Sequence, residues 1–167
     1  MLLVQSQAYR QQFGFKSVVL FPTNLYGPKD EFDPKFSHVI PALIAKIHNA
    51  KKTNSHSITL WGDGTPTRDF LYVEDAARGI ILATENYNDD EPINLGSEEE
   101  ISIKQLAELI SKIMGYDGTI NWDVLKLNGQ RCVSNKMAEK KIGFKPQINL
   151  NEGLKRTIDW FYQNIAN

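Results

Sequence analysis

Val18-Val19-Leu20-Phe21-Pro22-Thr23-Asn24-Leu25-Tyr26-Gly27-Pro28 runs from an unbroken apolar tetrapeptide straight into a loop of Pro, Asn and Gly. Four apolar residues, two of them β-branched and closed by a proline, read as a strand covered on both faces, the habit of parallel sheets. Such a strand needs neighbours on each side, and the rest of the chain does not obviously hold enough of them. In open α/β sheets, ligands sit beyond the carboxyl ends of strands, where residues 22–28 would fall. A turn-rich loop chosen only for its backbone shape would look the same, so this segment alone decides nothing about function.

Upstream, Leu2, Leu3, Val4, Tyr9 and Phe13 form a helical stripe that Gly14 stops. No capping residue precedes it, as expected of a chain cut from something longer. Downstream, Ser37 could cap a helix running to about Asn49, with Pro41 tolerated in its first turn. Ile58–Trp61 reads as a strand, Gly62–Pro66 as turns and Asp69–Val73 as a second extended segment. A helix over about 74–85 opens on Glu74 and Asp75, at the positive end of its dipole. Pro92–Leu95 is a short strand closed by Gly96. Ser102 and Gln105 form a capping box, with Ile101 and Leu106 as its staple, for a helix ending at Gly115. Thr119–Asp123 is a strand, the polar loop Lys126–Arg131 follows, and a short helix to Ile142 precedes a last helix over about 151–165. Alternating helices and strands give a mixed α/β chain.

The 167 residues carry a net charge of −1, with 41% hydrophobic and 23% charged residues. These proportions suit a packed globular chain and offer no basic face for nucleic acid. No apolar run approaches the length of a membrane span, and Met1 opens no signal peptide. One cysteine, Cys132, excludes an internal disulfide and fits a reducing compartment, hence a cytoplasmic setting. Histidines at 38, 48 and 56 fit no metal-ligand spacing, so no metal is expected.

Several residues could carry chemistry, each with a simpler alternative. His38 begins a helix, where its ring could give or take a proton near neutral pH, yet a surface histidine would look alike. Trp61 and Arg68 pair an indole face with a guanidinium, which suits a base and a phosphate. They could equally be a core tryptophan and an Arg68–Asp69 surface ion pair. Lys46 stands eight residues after His38, roughly on the same helical face. The glycines at 62 and 64 lead into Thr65-Pro66 rather than a helix, so they make no dinucleotide fingerprint. The residues four after each tyrosine are Phe13, Asp30, Ala76, Glu91, Ile120 and Ala166, so no Tyr-x-x-x-Lys pair exists.

Taken together, Pro22 to Pro28, Phe32-Asp33-Pro34, Ser37 to Leu43, Trp61 to Phe70 and Ile93 to Gly96, in that order, resemble the GDP-L-fucose synthases. These are NADP-dependent epimerase-reductases of the extended short-chain dehydrogenase superfamily. The resemblance covers essentially the whole chain, as the C-terminal half of such an enzyme. The Ser37–Leu43 segment followed by Trp-Gly-x-Gly-x-Pro-x-Arg is its most specific part.

The resemblance implies a fold made of the end of a Rossmann-type parallel sheet plus a small α/β substrate-binding lobe. Residues 1–36 would be the remnant of the dinucleotide domain. Residues 37–167 would mainly form the nucleotide-sugar lobe, with some segments returning to the first. The implied reaction is NADPH-dependent epimerisation and reduction of GDP-4-keto-6-deoxymannose to GDP-L-fucose. Pro22, Thr23, Asn24 and Leu25 would meet the nicotinamide end of NADP, and His38 beside it would reprotonate the sugar. Lys46, Trp61, Arg68 and Asn128 would hold the GDP portion. At Asn128 the family's Lys-Pro-Asp-Gly loop reads Lys126-Leu127-Asn128-Gly129.

The family's glycine fingerprint, catalytic serine, epimerisation cysteine and Tyr-x-x-x-Lys pair would all lie upstream of Leu2. The chain alone is therefore not expected to turn over. Its expected partners are a GDP-sugar and a missing N-terminal half or a homodimer partner, with neither nucleic acid nor membrane. The alternatives are a non-catalytic nucleotide-sugar-binding or dimerisation module, or another sugar-nucleotide epimerase or dehydratase.

Overall fold

The structure, a computed structural model, describes residues 1–124 and 136–166. Asn128, the loop 126–131 and Cys132 lie outside the described residues. Thirteen elements alternate along the described chain: α1 (Leu2–Phe13), β1 (Leu20–Pro22), β2 (Asn24–Tyr26), α2 (Val39–Lys52), β3 (Ser57–Trp61), β4 (Thr67–Tyr72), α3 (Val73–Asn86), β5 (Ile93–Leu95), β6 (Glu100–Ser102), α4 (Ile103–Met114), β7 (Thr119–Asp123), α5 (Lys136–Ile142) and α6 (Leu150–Asn164). Among the described residues no helix is long and apolar enough to cross a membrane.

Three small sheets result. β1 pairs with β5 in parallel, Leu20 opposite Ile93. β4 lies between β2, parallel to it, and β6, antiparallel. β3 and β7 form a separate parallel pair from Ser57–Thr119 to Trp61–Asp123. Besides the crossover from β4 through α3 to β5, two short links join the first two sheets. Thr23 alone separates β1 from β2, and residues 96–99 separate β5 from β6.

Alternation along β4 splits the core in two. Phe70 and Tyr72 join a large cluster with Ile44 and Ile47 of α2, Leu106 and Ile110 of α4, and Leu154 and Phe161 of α6. Leu71, on the opposite face, joins a smaller cluster with Ile93, Leu95, Ala83, Ile142 and Phe144. The helices earn their places by spacing: Ile40, Leu43, Ile44 and Ile47 line one side of α2, and Leu106, Ala107, Ile110 and Met114 one side of α4. The capping box at Ser102 forms as expected, its hydroxyl accepting from Gln105 N at 3.1 Å. Gly14 and Gly115 both end their helices in the left-handed region.

Some expectations fail. Ser37 does not cap α2; His38 takes that position, and the Ser37 hydroxyl is buried without a partner among the described residues. α2 continues to Lys52, and Lys51 Nζ donates to the carbonyl of Met114 at the end of α4. The opening strand begins at Leu20 rather than Val18, and it is not covered on both faces: Phe21 is 47% exposed. β5 is its one strand neighbour among the described residues.

Candidate functional site

Two cavities flank the N-terminal half of α2. The first, about 530 Å³, lies where the β2 segment passes the start of α2 and is lined by Thr23, Asn24, Leu25, His38, Arg68 and Phe70, among others. The second, about 490 Å³, lies between α2 and the β3–β4 turn and is lined by Lys46, Trp61, Gly64, Pro66 and Arg68. Arg68 and Val39 belong to both walls. Of the residues singled out by sequence, Thr23, Asn24, Leu25, His38, Lys46, Trp61 and Arg68 therefore meet at one paired site. Pro22 ends β1 outside both linings.

Local structure accounts for each position. His38 is the exposed N-cap of α2, and its carbonyl accepts from Ala42 N at 2.9 Å. Lys46 follows two turns later, far enough around and along the helix to reach the second cavity instead of the first. Its Nζ donates to the Thr59 carbonyl on β3, which ties the helix to the strand that ends in Trp61. Trp61 is 69% exposed, so it is no core residue.

The turn after Trp61 is set by Asp63, whose Oδ1 accepts from the Thr65 amide at 3.0 Å and its hydroxyl at 2.7 Å. Those two donors hold the Asp63 carboxyl below the usual carboxylate range. Gly64 has φ +74, and a Cβ there would stand 2.7 Å from the Trp122 ring, so only glycine fits. The carbonyls of Gly64 and Pro66 accept the first amides of α4, from Lys104 and Ile103, satisfying donors that a helix start leaves open.

Arg68 is half-buried, with Nη1 donating to the Thr67 carbonyl at 2.7 Å. It makes no ion pair among the described residues, and the alternative Arg68–Asp69 pair does not form. Strand alternation explains why: neighbours on a strand point to opposite faces. Asp69 is buried, and its Oδ1 accepts from Ser97 N at 2.9 Å and Ser97 Oγ at 2.6 Å. Asn24 Nδ2 donates to the Asp69 carbonyl at 2.8 Å, binding β2 to β4. Val39 and Asp69 went unnoticed in the sequence; an apolar run hid the first and an apparent salt bridge the second. Tyr26, at the back of the first cavity, is packed against Phe70 and Tyr72, and burial pushes its phenol well above the ordinary range. It stays protonated at neutral pH.

Thr23 Oγ1 is a buried hydroxyl with no hydrogen-bond partner among the described residues, and Thr23 lines the first cavity. An orphaned polar group on a cavity wall suits a ligand that brings its own donors and acceptors, as a carboxamide does. No pyrophosphate cradle accompanies it among the described residues, since the glycine turn at 62–64 runs into β4 and opens no helix.

Comparisons with known proteins agree with this layout. Residues 1–96 match the model of the NAD dependent epimerase/dehydratase family. A probable GDP-L-fucose synthase 1 of Oryza sativa subsp. japonica is 42% identical over 95% of this chain and 49% of its own. The GDP-L-fucose synthase of Escherichia coli K12 is 38% identical over 95% of this chain and 52% of its own. Among solved structures, a GDP-L-fucose synthetase from Naegleria fowleri bound to NADP superposes with a TM-score of 0.88 at 32% identity, covering 98% of this chain and 54% of that one. The chain thus spans about half the length of the relatives it matches. By its matching segment, its parallel strands and its relatives, this chain belongs to the NAD dependent epimerase/dehydratase family.

Proposed function

We propose that this chain is the substrate-binding part of a GDP-L-fucose synthase, acting with a Rossmann-type N-terminal half in the cytoplasm. The observation that carries the reading is the shared wall: Arg68 and Val39 border both the cavity of Thr23, Asn24, Leu25 and His38 and that of Lys46 and Trp61. A nucleotide sugar needs this arrangement, with its base and diphosphate in one compartment and its sugar reaching the other. In the second cavity Trp61 stacks on guanine while Lys46 and Arg68 neutralise the diphosphate. Asn128 adds a contact from outside the described residues.

In the first cavity Thr23, Asn24 and Leu25 hold the nicotinamide end of NADP, with Pro22 setting the approach of the loop. When bound, the reduced dinucleotide supplies the hydride for the ketone of GDP-4-keto-6-deoxymannose. His38 stands at this cavity and returns protons to the sugar during epimerisation. Residues 1–36 belong to the dinucleotide domain and 37–167 mainly to the substrate lobe. The chain alone binds substrate without turning it over, because reduction also needs a held pyrophosphate and a donor on the carbonyl oxygen.

Calorimetry with GDP tests the reading. Arg68→Ala should lose a charge-assisted contact of about 1.5–3 kcal/mol. Unchanged affinity in that variant, against a parent that binds, removes Arg68 from the site. With an N-terminal half supplied, His38→Gln should slow solvent deuterium incorporation into the sugar far more than it weakens GDP. Incorporation at the parental rate excludes the proton-transfer role.

A further inference from the structure

Asp69 lies between two residues of the first cavity, Arg68 and Phe70, yet faces away from it. Its side chain is 2% exposed, and Oδ2 has no hydrogen-bond partner among the described residues. Leaving a buried carboxylate oxygen unpaired lowers stability, so packing alone is a poor reason for a carboxylate here. Its contacts supply a better one. The chain crosses from the β1–β5 sheet to the β4 sheet at two places, once through Thr23 and once through residues 96–99. Asp69 grips both crossings. Its carbonyl receives Asn24 Nδ2, immediately after the first, and its Oδ1 receives the amide and hydroxyl of Ser97 within the second.

We propose that Asp69 is a positioning residue that couples the two cavities: its buried carboxylate, held by Ser97, fixes β4 so that the Asp69 main-chain carbonyl receives the Asn24 amide in the first cavity and the Arg68 guanidinium stands between the two. The strand holds Arg68 on the cavity face only while β4 keeps its rotation, and Ser97 fixes that rotation from behind. Asn24 donates to the same residue, so a shift at one cavity reaches the other through a single hydrogen-bonded unit. The proposal rests on the nucleotide reading above for what fills the cavities.

The test measures GDP affinity by calorimetry well below each variant's melting temperature, with hydrogen exchange on the same samples. Asp69→Asn keeps the acceptor Ser97 uses and should rescue, with affinity within about twofold of the parent. Asp69→Ala should weaken GDP roughly tenfold or more, and Ser97→Ala about threefold. Exchange should accelerate in both, at residues 24–26 and 67–72. A purely structural role lowers the melting temperature of Asp69→Ala but leaves GDP affinity and β2 exchange parental; that result overturns the proposal. If the parent does not bind GDP, the nucleotide reading falls and exchange decides: acceleration at β2 and β4 in Ser97→Ala but not Asp69→Asn sustains the coupling, and equal exchange in all variants ends it. Should Asp69→Ala fail to fold, Asn24→Ala, which cuts the bond to the Asp69 carbonyl, and Ser97→Ala, which cuts the hydroxyl bonds to Asp69 and to Glu99, carry the same comparison with the same two outcomes.

Discussion

The opening α1–β1 segment and the helices α2, α4 and α6 are built from the same α/β alphabet, but they treat their apolar surface in opposite ways. α1 buries no residue: Leu2, Val4 and Phe13 are all exposed, and β1 carries an exposed Phe21. Polar contacts hold α1 in place instead, with Arg10 donating to the carbonyls of Ser17, Asn88 and Asp89. By contrast, α2, α4 and α6 close around Leu106, Ile110 and Leu154, each fully buried. A helix held by rim hydrogen bonds keeps its apolar residues exposed; a helix whose apolar side packs internally has none left exposed. The candidate site sits where these two regimes meet, at the crossing from β1 to β2.

Mutation should separate the regimes most sharply at the core. Leu106→Ala should cost about 2–5 kcal/mol, because the three packed helices cannot collapse into the space it leaves. Phe13→Glu should change stability by less than about 0.5 kcal/mol, as exposed substitutions do. It should instead reduce light scattering at high concentration, because an exposed apolar face promotes association. Urea unfolding of both variants checks the contrast, and similar losses in the two would erase it.

The next effect probes a polar weld between α3 and the segment before α6. Asp75 is 2% exposed; Oδ2 accepts from Gln147 N and Ile148 N, both at 2.9 Å, and Oδ1 pairs with Arg78 at 2.5 Å. It fastens the start of α3 to the segment leading into α6. Asp75→Ala strands two amides and should cost about 2–3 kcal/mol, with the order of loss Leu106→Ala, Asp75→Ala, Phe13→Glu. A loss near zero for Asp75→Ala would show that water replaces the carboxylate and that the weld carries no weight.

The sequence announced those parts of the fold whose cause is local. The Ser102–Gln105 box, the glycine stops at 14 and 115 and the strand Thr119–Asp123 each depend on a few adjacent residues, and each is where pattern puts it. β2 and β6 were illegible for the opposite reason. Asn24-Leu25-Tyr26 and Glu100-Ile101-Ser102 have no strand composition of their own and become strands only because β4 lies between them. Among site residues, Arg68 was legible by its chemistry, but its neighbour Asp69 entered only as a possible ion-pair partner, which it is not. Sequence adjacency suggests a pair, whereas the extended backbone sends the two side chains apart. Ser37 failed similarly: a hydroxyl before a helix suggests a cap, but packing draws it inward and leaves His38 at the end.

The smallest effect is a histidine-linked pH dependence, which the first 36 residues cannot show, since the histidines are at 38, 48 and 56. His48 on α2 packs edge-on against Phe161 and Tyr162 of α6, with ring centroids 5.3 and 5.7 Å away. Burial against those rings, helped by the nearby Lys52 and Lys51, lowers its pKa from the ordinary value of 6.5. The folded state therefore takes up this proton less readily than the unfolded chain. Above about pH 7.5 both states hold the ring neutral and the effect vanishes. As pH falls through 6.5 the unfolded chain gains the proton first and stability declines, levelling off below the folded-state value. Paired urea titrations at pH 7.5 and 5 should show this drop in the parent and a smaller one in His48→Gln. Phe13→Glu should leave the histidine-linked drop unchanged, because the hydrogen bonds of α1 run to Ser17 and to residues 88–90, away from the α2–α6 seam. An equal drop in the parent and His48→Gln would detach acid sensitivity from that seam and assign it to groups shared with the open end of the molecule.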